Sequence, residues 1–312
     1  MTSIKLDSRD YMIDMYKKSG KIASKVRKDA VNYVKEDMKI LDLVEFIENE
    51  IIELGGNIAF PCNISVNEIT AHYTSPAGDE NVIKSGDVVK IDLGAHVDGY
   101  IADTAVSVLV GEDIPEESAE KHQNMINASQ EGLENGISAI RAGVEIGKVG
   151  EIIEKAINDR GFNSVSNLTG HSMDQWILHA GLSMPNIKEN NPHKLEEGDV
   201  LAIEPFATDG VGKVTDMNET YIFKFIRDRP MRLLHARRAL KIIKQEYKSL
   251  PFAQRWLTSH FSEHHLNAAM RMLISSRAVY PYRVLREKSN AVVAQSEHTV
   301  IVESDGCTVI TE

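Results

Sequence analysis

Residues 85–92 read SGDVVKID, and residues 197–204 read EGDVLAIE. Each carries Gly-Asp-Val, an apolar residue, and then isoleucine followed by a carboxylate, so Asp92 and Glu204 hold one place in two copies. Upstream the parallel continues. Residues 40–57 (ILDLVEFIENEIIELGGN) match residues 146–163 (IGKVGEIIEKAINDRGFN) at a constant offset of 106, with Glu45, Ile47, Glu48, Ile51, Gly55 and Asn57 recurring as Glu151, Ile153, Glu154, Ile157, Gly161 and Asn163. Val44, Ile47, Ile51 and Leu54 keep helical spacing, and Gly55-Gly56 stops that helix. Further helical stretches are expected at 8–36 and 115–141, with Pro115 in the first turn of the second and Gly143 past its end. Each half thus reads helix, helix, then paired strands. Two such halves, 1–111 and 112–312, predict an α+β body around a pseudo-twofold axis, with a carboxylate from each half near the centre. One strand start of this kind could recur by chance; two matching segments in the same order argue against it.

The first copy continues as VVKIDLGAHVDGYIADTAVSVLV, residues 88–110. Asp98-Gly99 is a turn signal between two strand-like runs. A turn at Val97-Asp98 sets Asp92 directly opposite Asp103; a turn at Asp98-Gly99 sets them diagonally. Either register points both carboxylates to one face, because side chains alternate with period two. Val89, Ile91, Leu93, Val106 and Val108 take the other face, which is expected to be the buried one. Like charges across a hairpin are destabilising. Divalent cations would offset them, since hard cations prefer oxygen ligands; two solvated strand carboxylates are the plainer alternative. Three more candidates weigh against that alternative. Glu204 lies in VLAIEPF and Glu297 in AVVAQSEHTVIV, and a carboxylate inside an apolar strand needs a partner or a metal. His171 follows Thr169-Gly170 in a loop-like NLTGHS. One histidine and four carboxylates suffice for two metals with bridging carboxylates.

Composition bounds the rest. The 312 residues are 42% hydrophobic and 26% charged, ordinary for a globular chain, with no apolar run long enough to span a membrane. The start, MTSIKLDSRDYMIDMYKK, has no apolar signal core. Cys62 and Cys307 give no disulfide framework and fit a cytoplasmic location. Net charge is −11, yet residues 227–288 hold fourteen Lys/Arg against four Asp/Glu. A basic block inside an acidic chain reads as an inserted module at about 225–285 with its own surface role.

The motifs AFPCNISVNEITAHYTSP (59–76), VVKIDLGAHVDGYIADTA (88–105), GHSMDQWILHAG (170–181), AIEPFAT (202–208) and AQSEHT (294–299) span nearly the whole chain. With them the sequence resembles the methionine aminopeptidases of the pita-bread (creatinase/aminopeptidase) fold, most closely type 2 in its short archaeal form. The long gap between Glu204 and Glu297 favours type 2. The resemblance implies two divalent ions, Co, Mn, Fe(II) or Zn, held by Asp92, Asp103, His171, Glu204 and Glu297. Asp103 and Glu297 are implied to bridge them. It further implies removal of the initiator methionine, favouring a small second residue, by metal-activated hydroxide. Glu204 is implied as proton acceptor, His72 as a contact of the scissile amide nitrogen, and His179 as a stabiliser of the carbonyl oxygen. Phe60, His72, Leu178, His179 and Tyr282 match positions lining the family's methionine pocket. Ser296 departs from the family pattern, which carries phenylalanine there. Rivals are a proline-directed peptidase of the same fold and a non-enzymatic relative that binds other proteins or nucleic acid. Filled ligand positions argue against the second.

In the basic block, 231–249, 251–260 and 263–277 are predicted helices and VYPYRVLRE a strand, resembling a winged-helix module. Its charge suits weak ribosome or RNA contact; a solvated surface shaping the cleft is the plainer alternative. HFSEH at 260–264 fits a zinc-protease pattern, but Ser262 is expected to cap a new helix and break it. DGVGK at 209–213 lacks phosphate-loop spacing and reads as a turn. His96 and His298 are expected to be structural. No heptad run or docking stripe appears, so a monomer is expected.

Overall fold

The computed structural model describes residues 8–312. The absence of a signal core was read partly on residues 1–7, which lie outside them. The first half is α1 (Ser8–Tyr33), α2 (Ile40–Glu53), β1 (Asn57–Val66), β2 (Ile69–Ala71), β3 (Val88–Val97) and β4 (Tyr100–Leu109). The second opens with α3 (Glu116–Ser138) and α4 (Ile146–Asp159), followed by short strands β5 (Asn163–Ser164), β6 (Thr169–Ser172) and β7 (Ser183–Pro185). Then come β8 (Val200–Ile203), β9 (Phe206–Thr208) and the long β10 (Val214–Phe225). The basic block gives α5 (Leu234–Glu246), β11 (Pro251–Ala253), α6 (Glu263–Ser275) and β12 (Val279–Glu287). β13 (Val293–Gln295), β14 (His298–Val302) and β15 (Cys307–Val309) return to the body.

The repeat is written in the backbone hydrogen bonds. Ile40 N donates to Asn81 O as Ile146 N does to His193 O; Ile83 N donates to Met38 O as Leu195 N does to Val144 O. Gly86 N reaches Val110 O as Gly198 N reaches Val302 O. So α2 corresponds to α4, β3 to β8, and β4 to β14. β1, β3 and β4 form one antiparallel sheet, and β15-β14-β8-β6-β7 another. α1 and α2 pack one apolar cluster against the first sheet, through Tyr16, Val26, Leu43, Ile47, Ile91 and Leu93. α3 and α4 pack a second through Met125, Leu133, Ile153, Ile157, Leu201 and Val300. Ala105 and Glu297 hold equivalent places in the copies and bond reciprocally: Glu297 N to Ala105 O at 3.0 Å and Ala105 N to Glu297 O at 3.4 Å. The pseudo-twofold axis therefore runs between β4 and the start of β14, beside the carboxylates.

Three local expectations are revised. Leu54 does not join the helix face: it follows the end of α2 and is 43% exposed, because Gly55 at φ 83° turns the chain away. The hairpin face carrying Asp92 and Asp103 is not the open one; Lys90, Asp103, Ala105 and Ser107 are buried on it, since the second half covers it. Residues 251–260 are not a helix. Pro251 lacks the N–H a helix interior needs, and Pro251–Ala253 instead pair with Ile222–Lys224 of β10, followed by one 3-10 turn at Gln254–Leu257.

β11-β10-β12-β2 form one sheet, tying the basic block to the first half. The block has its own core of Phe223, Ala239, Ile243, Phe252, Leu266 and Leu273. A buried ion pair, Arg255 to Glu48, fastens it to α2, and Trp256 Nε1 donates to the same carboxylate at 2.9 Å. Residues 209–213 form a loop, as expected for DGVGK. α6 starts after Ser262, so His260 and His264 do not share a helix, and no metal cluster forms there among the described residues.

Candidate metal centre

The ladder of β3 and β4 pairs Val97 with Tyr100, which puts the turn at Asp98-Gly99, both with positive φ. Glycine is needed at 99 for a second reason: a Cβ there would stand 2.4 Å from the Trp176 ring. In this register Asp92 faces Ala105 and Asp103 faces Gly94, so the carboxylates sit diagonally on one face. Glu204 directly follows β8, Glu297 directly precedes β14, and His171 lies in β6 opposite Ala202. All five line one cavity of about 340 Å³.

Paired hydroxyl clamps fix the strands that carry them. Thr299 Oγ1 accepts from Asp103 N and donates to Asp103 O, both at 2.8 Å. Its counterpart Ser107 Oγ accepts from Gln295 N at 2.7 Å and donates to Gln295 O at 2.8 Å. Thr104 Oγ1 donates to Glu297 O at 2.9 Å, and Arg27 of α1 donates to Thr104 Oγ1 and to His298 Nδ1. His298 is thus structural and neutral, its pKa lowered to about 4 by burial and by Arg27. His96 is structural too, accepting from Gly99 N at 3.2 Å and packing edge-on against Trp176.

Burial and mutual repulsion dominate the electrostatics. Burial lifts Asp92 to about 7. Asp103, Glu204 and Glu297 are pushed well above the usual carboxylate range, by burial first and then by neighbouring carboxylates, Asp92 among them in every case. His171 is held down at about 3 by burial and by His179. His171 Nε2 stands 3.6 Å from Asp103 Oδ2 and 3.8 Å from Glu204 Oε1, too far for hydrogen bonds. Asp103 Oδ1 is buried with no hydrogen-bond partner. Ligand atoms of Asp103, His171 and Glu297 all lie within 4.8 Å of one another. Four crowded carboxylates, an unpartnered oxygen and a neutral imidazole are what hard or borderline divalent cations bind. The residues fit that group, and the donor set leaves the identity of the ion open.

The other anticipated residues line the same cavity. Phe60, His72, Leu178, His179 and Tyr282 all border it. Phe60 reaches in over Gly94, where any Cβ would stand 2.2 Å from its ring. His72 has φ 63°, an unfavourable conformation for a side chain bearing Cβ, and such outliers gather at functional sites. Its Nδ1 lies 3.1 Å from Arg283 O and its ring is 5.3 Å from Tyr282. His179 lies 4.3 Å from His171, ring to ring, and burial lowers its pKa to about 4. Ser296 is accommodated by a partner: its Oγ lies 2.8 Å from Ser129 Oγ on α3. Sequence reasoning missed Arg27, Thr104, Ser107 and Thr299, which are ordinary residue types whose roles come from tertiary contacts. It also missed Lys90, wholly buried, whose ammonium donates to Asn67 O and Val293 O. A lysine inside an apolar strand was its only signal.

Duplicated α+β halves closing on such a cluster define a metallohydrolase of the pita-bread type. Residues 14–303 match metallopeptidase family M24. A methionine aminopeptidase of Methanothermobacter thermautotrophicus is 64% identical over 96% of this chain and 99% of its own. One of Pyrococcus horikoshii is 50% identical over the same shares. A thermophilic Arx1 superposes with a TM-score of 0.82 at 19% identity, covering 98% of this chain and 91% of its own. A methionine aminopeptidase of Thermotoga maritima gives 0.70 at 21%, covering all of both chains. A prolidase of Pyrococcus furiosus gives 0.60 at 17%, covering 97% of this chain and 64% of its own. The chain belongs to metallopeptidase family M24, among its methionine aminopeptidases.

Proposed function

We propose that this chain removes the N-terminal methionine from peptides and newly made proteins, favouring a small second residue. Asp92, Asp103, His171, Glu204 and Glu297 would hold two divalent cations in this reading. When bound, the ions supply Lewis acidity, polarising a carbonyl and making water a usable nucleophile near neutral pH. Glu204 takes up the proton released. His72, with Nδ1–H committed to Arg283 O, keeps an Nε2 lone pair for the N–H of the scissile amide. His179 is uncharged and so has one N–H to give the carbonyl oxygen as negative charge grows on it. Phe60, Leu178 and Tyr282 form an apolar wall that suits the flexible methionine side chain.

One observation carries this: a single cavity gathers four carboxylates, of which Asp103 and Glu297 are buried, with a neutral histidine and an apolar wall. The test is hydrolysis of Met-Ala-Ser against Xaa-Pro peptides, with chelator and with divalent metals restored. Methionine release that needs metal is expected. Faster cleavage before proline would favour the proline-directed rival. No methionine release under any metal would sink the reading.

The organisation proposed with it is one catalytic body, halves 1–111 and 112–312, with 225–285 as a module on the cleft. No helix among the described residues is long and apolar enough to cross a membrane; a monomer in the cytoplasm is proposed. Exposed Arg237, Arg238, Lys241 and Lys248 on and after α5 favour a weak contact with RNA such as that of the ribosome. Salt-sensitive RNA retention that disappears when these four are neutralised would support it.

A further inference from the structure

The sheet that roofs the cavity continues outward past it. Ile222 of β10 pairs with Tyr282 of β12 on one side and Ala253 of β11 on the other, and both Ile222 and Tyr282 line the cavity. The next rung on the same face is Lys224, paired with Tyr280 and with Pro251, which also lines the cavity. Tyr280 is 54% exposed and meets the Tyr282 ring edge-on at 5.1 Å. Lys224 is half-buried, and among the described residues no carboxylate lies within ion-pair distance of its ammonium. Its charge is felt at His179, whose pKa it helps to lower. A half-buried cation one rung beyond the cavity lining, without a carboxylate of its own among the described residues, lacks a counter-charge that a ligand can bring.

The spacing says which part of a ligand. Side chains two apart on a strand stand about 7 Å apart on one face. An extended substrate has the same repeat, so its first and third side chains share a face at that separation. With the first side chain against Ile222 and Tyr282 and the peptide running along β10 towards Lys224, the third falls at Lys224 and Tyr280. We propose that Lys224 and Tyr280 form a subsite for the third substrate residue, and that this subsite selects an acidic side chain there. Tyr280 packs the methylenes and Lys224 meets the carboxylate. The inference rests on the peptidase reading above and adds a preference to it.

The test uses the metal-loaded full chain and C-terminally amidated Met-Ala-Glu-Gly, Met-Ala-Gln-Gly and Met-Ala-Lys-Gly. In the wild type, kcat/KM for the Glu peptide should exceed that for the Lys peptide by about three- to tenfold, the range for a partly solvated charge pair. The ratio should fall with added salt, approach one in Lys224→Met, and invert in Lys224→Glu. Ratios within one variant cancel any effect of the substitution on His179. Met-Ala-Gly as free acid and as amide is run alongside, because a chain-end carboxylate offers the same chemistry. A wild-type ratio near one overturns the proposal, as does a ratio that survives Lys224→Met. So does a gain seen with the free acid alone, or a preference that follows the acid to the fourth residue. In those cases methionine is still released and the peptidase reading stands; no release from any peptide would be the failure of that reading instead.

Discussion

Asp103 is where the chemistry concentrates at the scale of single residues. It is buried, it has an oxygen without a partner, and it neighbours both Glu297 and His171. His72 and His179 sit in the same cavity, their pKa lowered by burial, and are proposed to contact substrate. Asp103→Ala and Glu297→Ala are therefore expected to lose bound metal. His72→Ala and His179→Ala should keep metal and lose turnover, His179→Ala by about 10²–10³-fold, the usual cost of one charge-stabilising donor. Metal stoichiometry beside kcat for the four proteins checks this, and metal loss from His179→Ala equal to that from Asp103→Ala would contradict it. The carboxylates also set a pH dependence. Asp92 in the metal-free protein titrates near 7, above its unfolded value of about 3.9. Its contribution to stability is then whole below about pH 4 and is lost as pH rises through about 7. A bound cation reverses this by favouring the charged form. The rise in Tm on adding divalent metal should thus grow from pH 5 to pH 8; a rise that shrinks over that range would count against the assignment. These residues were legible because each is a polar interruption in an apolar strand or a motif residue. Arg27 and Thr299 were not, because a helix arginine and a strand threonine are unremarkable until the fold sets them beside Thr104 and Asp103.

The elements were legible to unequal degrees. α2 and α4 announce themselves by helical periodicity, a glycine stop and an identical spacing, and both run fourteen residues. The β3–β4 hairpin was readable to within two registers, and the choice between them fell to the left-handed conformations at Asp98 and Gly99. The strand at Pro251–Ala253 was hidden because three residues carry too little pattern; pairing with β10 decides it. Attachment of the basic block was hidden too, since the Glu48–Arg255 contact joins residues far apart in sequence. Arg255→Met leaves the buried Glu48 carboxyl, whose pKa burial already raises, either charged without its partner or forced to take up a proton, and should cost up to about 3–5 kcal/mol. Adding Glu48→Leu should recover much of that loss, because the uncompensated charge is gone. Urea unfolding of the wild type, single and double variants checks both. If Arg255→Met is as stable as the wild type, the pair does not fasten the block.

The whole molecule is built as two copies of one idea, and the site exists because the copies differ. Ala105 and Glu297 are equivalent by symmetry and bond reciprocally, yet only the second copy has a carboxylate there. Asp103 has Gln295 as its equivalent, so the first copy supplies the acid the second lacks. Asp92 and Glu204 are acids in matching places, whereas Asp103 and Glu297 each belong to one copy alone, and the four together line one cavity. The central claim is that these acids hold divalent metal on which methionine release depends. It is tested most directly by measuring bound metal and methionine release from amidated Met-Ala-Ser together, as exhaustively chelated protein is titrated with a divalent cation, for the wild type and Glu297→Gln. The account predicts negligible release at the start and recovery in step with bound metal in the wild type. Glu297→Gln should bind less metal and recover correspondingly little. Full methionine release from the chelated wild type would contradict it.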